Sequence, residues 1–190
     1  VVAFKESMKR KKILHNIHKS NVLISSVLWN EVLEEVALDY PEVRVIHMLV
    51  DAAATHLCLN PCQFDVMVME NMFGDILSDL AGGLVGGMGM ASCAEIGDDV
   101  GLFQAAHGSA PDIMGQDKAN PLAAILSGAL MLDYLAERAD QSALADAADL
   151  IDRAVNAGFA ANRLRPMEFG GDMGTKAVTE EVIAQLAVVK

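Results

Sequence analysis

The chain has 190 residues, 53% of them hydrophobic, which is enough to bury a sizeable core in one domain or two small ones. Its 14 basic and 26 acidic residues give a formal charge of -12, which argues against nucleic acid as a partner. No apolar run approaches about 18 residues and the N-terminus has no cleavable signal pattern, so no membrane span is expected. Cys58, Cys62 and Cys93 match neither a disulfide framework nor a zinc pattern and suit a reducing, cytoplasmic setting.

Residues 1–10 read as the middle of an amphipathic helix without a cap, as though the chain began partway through a larger protein. The basic cluster Lys9-Arg10-Lys11-Lys12 suits the solvated last turn of that helix, where cations complement the dipole. Residues 13–18 predict a strand, 25–39 a helix capped by Ser25 and ended before Pro41, 43–50 a strand, and 51–59 a short helix. Residues 64–69 form a nearly continuous apolar strand of the kind buried on both faces, followed by a helix from Asn71. The glycine stretch 81–89 lacks the ending of a phosphate loop, and its glycines suit a close backbone approach or a hinge between domains. Beyond it, 101–105 predict a short strand, 107–113 a loop, 121–138 and 141–157 helices, 159–166 a strand or extended arm, and 175–188 a closing helix capped by Thr175. Strands alternating with helices argue for an α/β sheet, with a composition shift near the glycine stretch as the domain boundary.

The segment Asn71-Met-Phe-Gly-Asp-Ile-Leu-Ser-Asp79 sets Asp75 and Asp79 four residues apart, on one helix face. Like charges held so close repel unless a cation lies between them or one of them keeps its proton. Most such pairs simply face solvent, but the neighbouring Ile76, Leu77, Leu80 and Leu84 predict a largely buried helix. A third carboxylate, Asp51, follows a predicted strand, where open α/β sheets place their ligands. Three Asp oxygens suit Mg²⁺ or Mn²⁺ better than zinc. His15 and His18 share a strand but fall on opposite faces, which excludes them as a zinc pair.

Four segments in order, His18-Lys-Ser-Asn-Val-Leu23, Val50-Asp51, the Asn71–Asp79 motif, and His107-Gly-Ser-Ala-Pro-Asp-Ile-Met-Gly115 with Ala119-Asn-Pro121, resemble the signature series of the β-decarboxylating dehydrogenases. That family includes isopropylmalate, isocitrate, homoisocitrate and tartrate dehydrogenases. The resemblance implies the C-terminal part of a two-domain α/β fold with a mixed sheet flanked by helices. Residues 1–86 would belong to a central dimerisation and metal-binding domain, and 87–190 to an NAD-binding domain. It places Asp51, Asp75 and Asp79 at the divalent-metal positions and Lys19 at the catalytic lysine that helps take the hydroxyl proton, with Asp51 also catalytic. Asn21 falls where the family contacts the nicotinamide amide. His107, Gly108, Ser109, Ala110, Asp112 and Ile113 fall in the loop that wraps the adenosine, with Asn120 reaching the adenine. A carboxylate at Asp112 can accept hydrogen bonds from a free ribose 2'-hydroxyl and repels a 2'-phosphate, so the pair Asp112-Ile113 implies NAD rather than NADP.

Gln104-Ala-Ala106 stands where most members have Glu-Pro-Val or Glu-Pro-Ile, Ala52 replaces a frequent Asn, and Glu70 stands where Thr or Gly is common. None of these changes removes a metal position or Lys19. Family members are about twice this long, and their first half carries substrate-gripping arginines and a catalytic tyrosine, so these 190 residues alone are expected to be inactive. The resemblance further implies a homodimer whose active sites are shared, with Lys19 and Asp51 from one chain and the aspartate helix from the other. The expected activity of the longer enzyme is oxidative decarboxylation of a small 2-hydroxy acid bearing a 3-carboxylate. Leu28-Trp29 and His47-Met48 lean towards isopropylmalate. Isocitrate-, homoisocitrate- and tartrate- or malate-type substrates, or a catalytically silent fragment or subunit, are the alternatives.

Overall fold

The computed structural model describes residues 1–189, which divide into two compact units, Val1–Leu84 and Val85–Lys190. Among the described residues no helix is long and apolar enough to cross a membrane.

The first unit runs α1 (Val2–Met8), β1 (Ile13–His18), α2 (Ile24–Ala37), β2 (Arg44–Leu49), α3 (Val50–Leu59), β3 (Val66–Val68) and α4 (Asn71–Leu84). Its three strands form a parallel sheet in the order β2-β1-β3, with Ile13 opposite Arg44 and Leu14 opposite Val66. The central strand is covered on both sides, and alternation divides its side chains between two cores. Leu14 joins Phe4, Leu33 and Val43, while Ile17 joins Ala53, Leu57 and Leu77. The same alternation separates the two histidines: His15 meets the Phe64 ring edge-on and His18 meets His47.

The second unit contains an antiparallel hairpin of β4 (Ser92–Ile96) and β5 (Gly101–Ala105), then α5 (Leu122–Ala139), α6 (Ser142–Ala160) and α7 (Thr175–Val188). Its core is Leu122, Val155, Leu164, Val178 and Val182. Helix α5 packs against both hairpin strands and against α6, which packs in turn on α7. The α/β class with both parallel and antiparallel ladders is therefore as the sequence predicts.

Several local expectations are corrected. Ser25 does not cap α2: the helix starts at Ile24 without a side-chain cap, and the neighbouring Ser26 instead accepts a hydrogen bond from the Lys19 N–H at 3.1 Å. Nor does Thr175 cap α7, because its hydroxyl donates to the Ala119 carbonyl, and the Asp117 carboxylate takes the Lys176 N–H. Residues 159–166 form no strand. Helix α6 continues through Ala160 and closes where the N–H groups of Arg163 and Leu164 both donate to the Gly158 carbonyl. A side chain at Gly158 would strike Leu164 at 2.7 Å, so glycine lets the returning chain pack onto the helix end. The 64–69 strand shrinks to Val66–Val68 at the half-buried sheet edge, and β4 goes unpredicted because Ser-Cys-Ala carries little apolar pattern. Helix α4 is not largely buried within one chain: Phe73, Leu77 and Gly82 are, whereas Ile76 is 58% exposed. The basic cluster is tied down in part, with the Arg10 side chain 2.8 Å from Asp65 and the Lys11 N–H on the same carboxylate.

Candidate active site

Parallel strands β1 and β2 are neighbours in register, with His18 opposite Leu49, so their C-terminal ends deliver Lys19 and Asp51 to the same place. Lys19 Nζ donates to Asp51 Oδ1 at 2.7 Å. Asp51 lies in the first turn of α3, and the Lys19 hydrogen bond, then backbone N–H groups of its own turn, hold its carboxyl below the usual range. It therefore stands as a carboxylate beside an ammonium. Asn21 is exposed in the turn between β1 and α2.

Strand β1 also carries a buried polar cluster that sequence reasoning missed. The side chain of Asn16, fully buried in β1, accepts from Trp29 Nε1 at 2.7 Å and donates to Asn30 Oδ1 at 2.8 Å and towards His47 Nδ1 at 3.1 Å. The amide direction fixes His47 with its proton on Nε2, which faces Glu34. Burial, and then His47, pushes the pKa of His18 down. The signal available was an asparagine, lying between His15 and His18, inside a predicted strand that is largely buried.

Asp75 and Asp79 are exposed on α4. Glu70, noted as a departure from the family pattern, anchors that helix: its carboxylate accepts the Met72 and Phe73 N–H groups at 3.0 and 3.2 Å. Among the described residues no three His, Cys, Asp or Glu side chains group closely enough to hold a metal ion. The donor chemistry of three carboxylates fits a hard divalent cation, but one chain does not bring Asp51, Asp75 and Asp79 together.

In the second unit, His107, Gly108, Ser109, Ala110, Ile113 and Asn120 line a cleft of about 780 Å³, the size of a small-ligand site. His107 Nδ1 donates to the Gly108 carbonyl at 2.8 Å. Ala110 adopts the left-handed conformation at φ 43°, a strained geometry for a residue with a Cβ. Asp112 opens the 3-10 turn Pro111–Ile113 with an exposed side chain and is not among the cleft-lining residues, and its carbonyl accepts from Gln116. Sequence reasoning missed Asp117 and Glu168, both of which line the cleft. A cleft of this size, bordered by loop backbone and by hydrogen-bonding side chains, fits a dinucleotide portion.

The profile of the family described as isocitrate/isopropylmalate dehydrogenase matches residues 1–186. The 3-isopropylmalate dehydrogenase of Hydrogenovibrio crunogenus is 55% identical over 140 residues, covering 73% of this chain and 39% of that protein. The isocitrate/homoisocitrate dehydrogenase of Thermus thermophilus is 46% identical over 177 residues, 93% of this chain and 51% of that one. The crystal structure of an isocitrate dehydrogenase from Methylococcus capsulatus superposes with a TM-score of 0.88 at 39% identity, covering 97% of this chain and 54% of the other. The chain thus spans about half the length of the relatives it matches.

Proposed function

Since the chain belongs to the isocitrate/isopropylmalate dehydrogenase family, we propose that it forms part of an enzyme that oxidatively decarboxylates a 2-hydroxy acid bearing a 3-carboxylate, with NAD and Mg²⁺ or Mn²⁺. The observation that carries this reading is the 2.7 Å pair of Lys19 and Asp51 at the ends of adjacent parallel strands. Once Lys19 has shed its own proton, the neutral amine beside a carboxylate there can take the 2-hydroxyl proton as the C2 centre is oxidised, and the ammonium so formed can return a proton to the enol carbon after CO₂ leaves. Asp51 orients the Lys19 amine and offers an oxygen to a cation, and Asp75 and Asp79 of a second copy would supply the remaining carboxylates. Bound NAD would supply the hydride acceptor, and a divalent ion held by Asp51 with Asp75 and Asp79 of a second copy would supply Lewis-acid stabilisation of developing negative charge. Asn21 would steady the nicotinamide amide, and the 107–113 loop with Asn120 would hold the adenosine.

The first-choice substrate is 3-isopropylmalate, which the relatives of that name support; the Thermus thermophilus relative makes isocitrate and homoisocitrate the alternatives. We place 1–86 in a dimerisation and metal-binding domain and 87–190 in an NAD-binding domain, in a homodimer with shared sites. The free thiols of Cys58, Cys62 and Cys93 suit the cytoplasm. The test follows NADH formation by the full-length protein with Mn²⁺ and isopropylmalate, isocitrate, homoisocitrate, tartrate or malate in turn. We expect isopropylmalate to give the highest kcat/KM and Asp75→Asn to lower it at least about a hundredfold, in line with the loss of a metal ligand. An unchanged rate and Mn²⁺ dependence in Asp75→Asn would refute the mechanism.

A further inference from the structure

Glu168 lies in the 3-10 turn Met167–Phe169, and its two carboxylate oxygens are divided between two parts of the cleft wall. Oε1 accepts the Gly89 N–H at 2.9 Å and Oε2 accepts from Asn120 Nδ2 at 3.0 Å. The other end of the Asn120 amide accepts the N–H of fully buried Leu122 at 3.2 Å. This settles which way the amide points: its oxygen must face a backbone donor and its nitrogen a carboxylate. The donor that Asn120 can still offer a ligand is then its second N–H, which suits a ring nitrogen or an oxygen.

The glycine segment preceding β4 is shaped to the same carboxylate. An added Cβ would stand 2.1 Å from Glu168 Oε1 at Gly87 and 2.1 Å from Oε2 at Gly89, where it would also meet Asn120 Cβ at 2.7 Å. Gly87 and the adjacent Gly86 have φ 155° and 118°, the region that favours glycine. The glycines therefore admit Glu168 where a side chain would exclude it.

Resting on the cofactor reading above, we propose that Glu168 is a positioning residue of the nucleotide cleft, locking the Asn120 amide so that it presents an N–H donor to the adenine end of a dinucleotide while clasping the 86–89 glycine segment. Glu168 need not touch the ligand; it acts through Asn120. Replacing its carboxylate by an amide of equal size sets an NH₂ group against one of two N–H donors, so either the Gly89 or the Asn120 bond is lost.

The experiment titrates NADH fluorescence with full-length wild type, Glu168→Gln, Asn120→Ala and the double variant. Glu168→Gln is expected to weaken NADH binding roughly tenfold, the scale of one lost charge-assisted hydrogen bond. The double variant should bind no more weakly than Asn120→Ala alone, because a residue that acts through Asn120 has nothing left to position. Wild-type affinity in Glu168→Gln, or losses that simply add, would overturn the proposal. Should Glu168→Gln prove poorly folded, the side-chain amide resonances of Asn120 in the wild-type protein decide: slow exchange and a further shift on adding NADH support it, and indifference to NADH overturns it. A wild-type protein that binds no NADH overturns both this proposal and the cofactor reading, whereas NADH binding left intact by Glu168→Gln overturns this proposal alone.

Discussion

Lys19 and Asp51 are 32 residues apart in sequence, yet they meet because each ends one of two strands in register. The pair makes a prediction about protonation. Removing the ammonium with Lys19→Met should raise the Asp51 pKa towards an ordinary carboxylate, read by NMR titration of the Asp51 side-chain carbon. Because the folded-state pKa lies below the unfolded one, this group favours the fold above the unfolded carboxylate pKa of about 4, and the effect fades as pH falls through the lowered value. An Asp51 titration unmoved by Lys19→Met would contradict the pairing. The proposed choice of NAD over NADP also rests on single residues. Asp112→Lys with Ile113→Tyr supplies a cation for a 2'-phosphate and removes the carboxylate that repels it. Binding of NADPH relative to NADH should rise at least about tenfold in fluorescence titrations, the effect of roughly one charge-assisted contact.

Whole elements were easier to read than their ends. Helix α5 is marked by Pro121 at its N-cap, and both α5 and α7 appear where expected. Their caps do not, because capping is settled by which donors and acceptors the tertiary fold brings near: Asp117 from a distant loop outcompetes Thr175 at the start of α7. Residues 159–166 look extended in isolation, but the Gly158 surface lets Leu164 fold back onto α6. The α6 helix also carries a testable misfit. Partial desolvation, with the charges of Asp133 and Asp149, raises the pKa of Asp152. A carboxyl with a folded pKa above its unfolded one costs stability progressively as pH rises through that interval, so the penalty is fully present at neutral pH. Asp152→Asn should therefore melt about 1–2 °C higher than wild type at pH 7, with the advantage shrinking as pH falls through the raised pKa and gone below about pH 4. Equal melting at both pH values would refute it.

For the molecule as a whole, the exposed apolar residues of the first unit stand out. Ile24 is 86% exposed, Leu28 60% and Ile76 58%. Of these, Ile76 lies on the α4 face that carries Asp75 and Asp79, and an exposed apolar side chain there suits a partner surface. The proposed shared site gives that surface a purpose, since Asp75 and Asp79 lie beside Ile76 on α4 and do not cluster with Asp51 in one chain. Ile76→Glu places a charge on this face and should convert dimers to monomers in sedimentation velocity at micromolar concentration. A wild-type protein that is already a folded monomer there would remove the dimer from the proposal, and an unaffected dimer in Ile76→Glu would remove α4 from its interface.

The α/β class, the order of most helices and strands, and the four motif segments were legible in the sequence, because periodicity and signature spacing are local properties of the chain. The carboxylate pair of α4 and the His107–Ile113 loop were visible in the same way. Tertiary structure alone decided that Lys19 faces Asp51, that the buried Asn16 amide gathers Trp29, Asn30 and His47, and that Glu168 reaches Gly89 and Asn120 across long stretches of sequence. Hydrogen bonds between residues distant in sequence depend on strand register, helix packing and the room left by absent side chains, and none of these leaves a periodic trace in the order of amino acids.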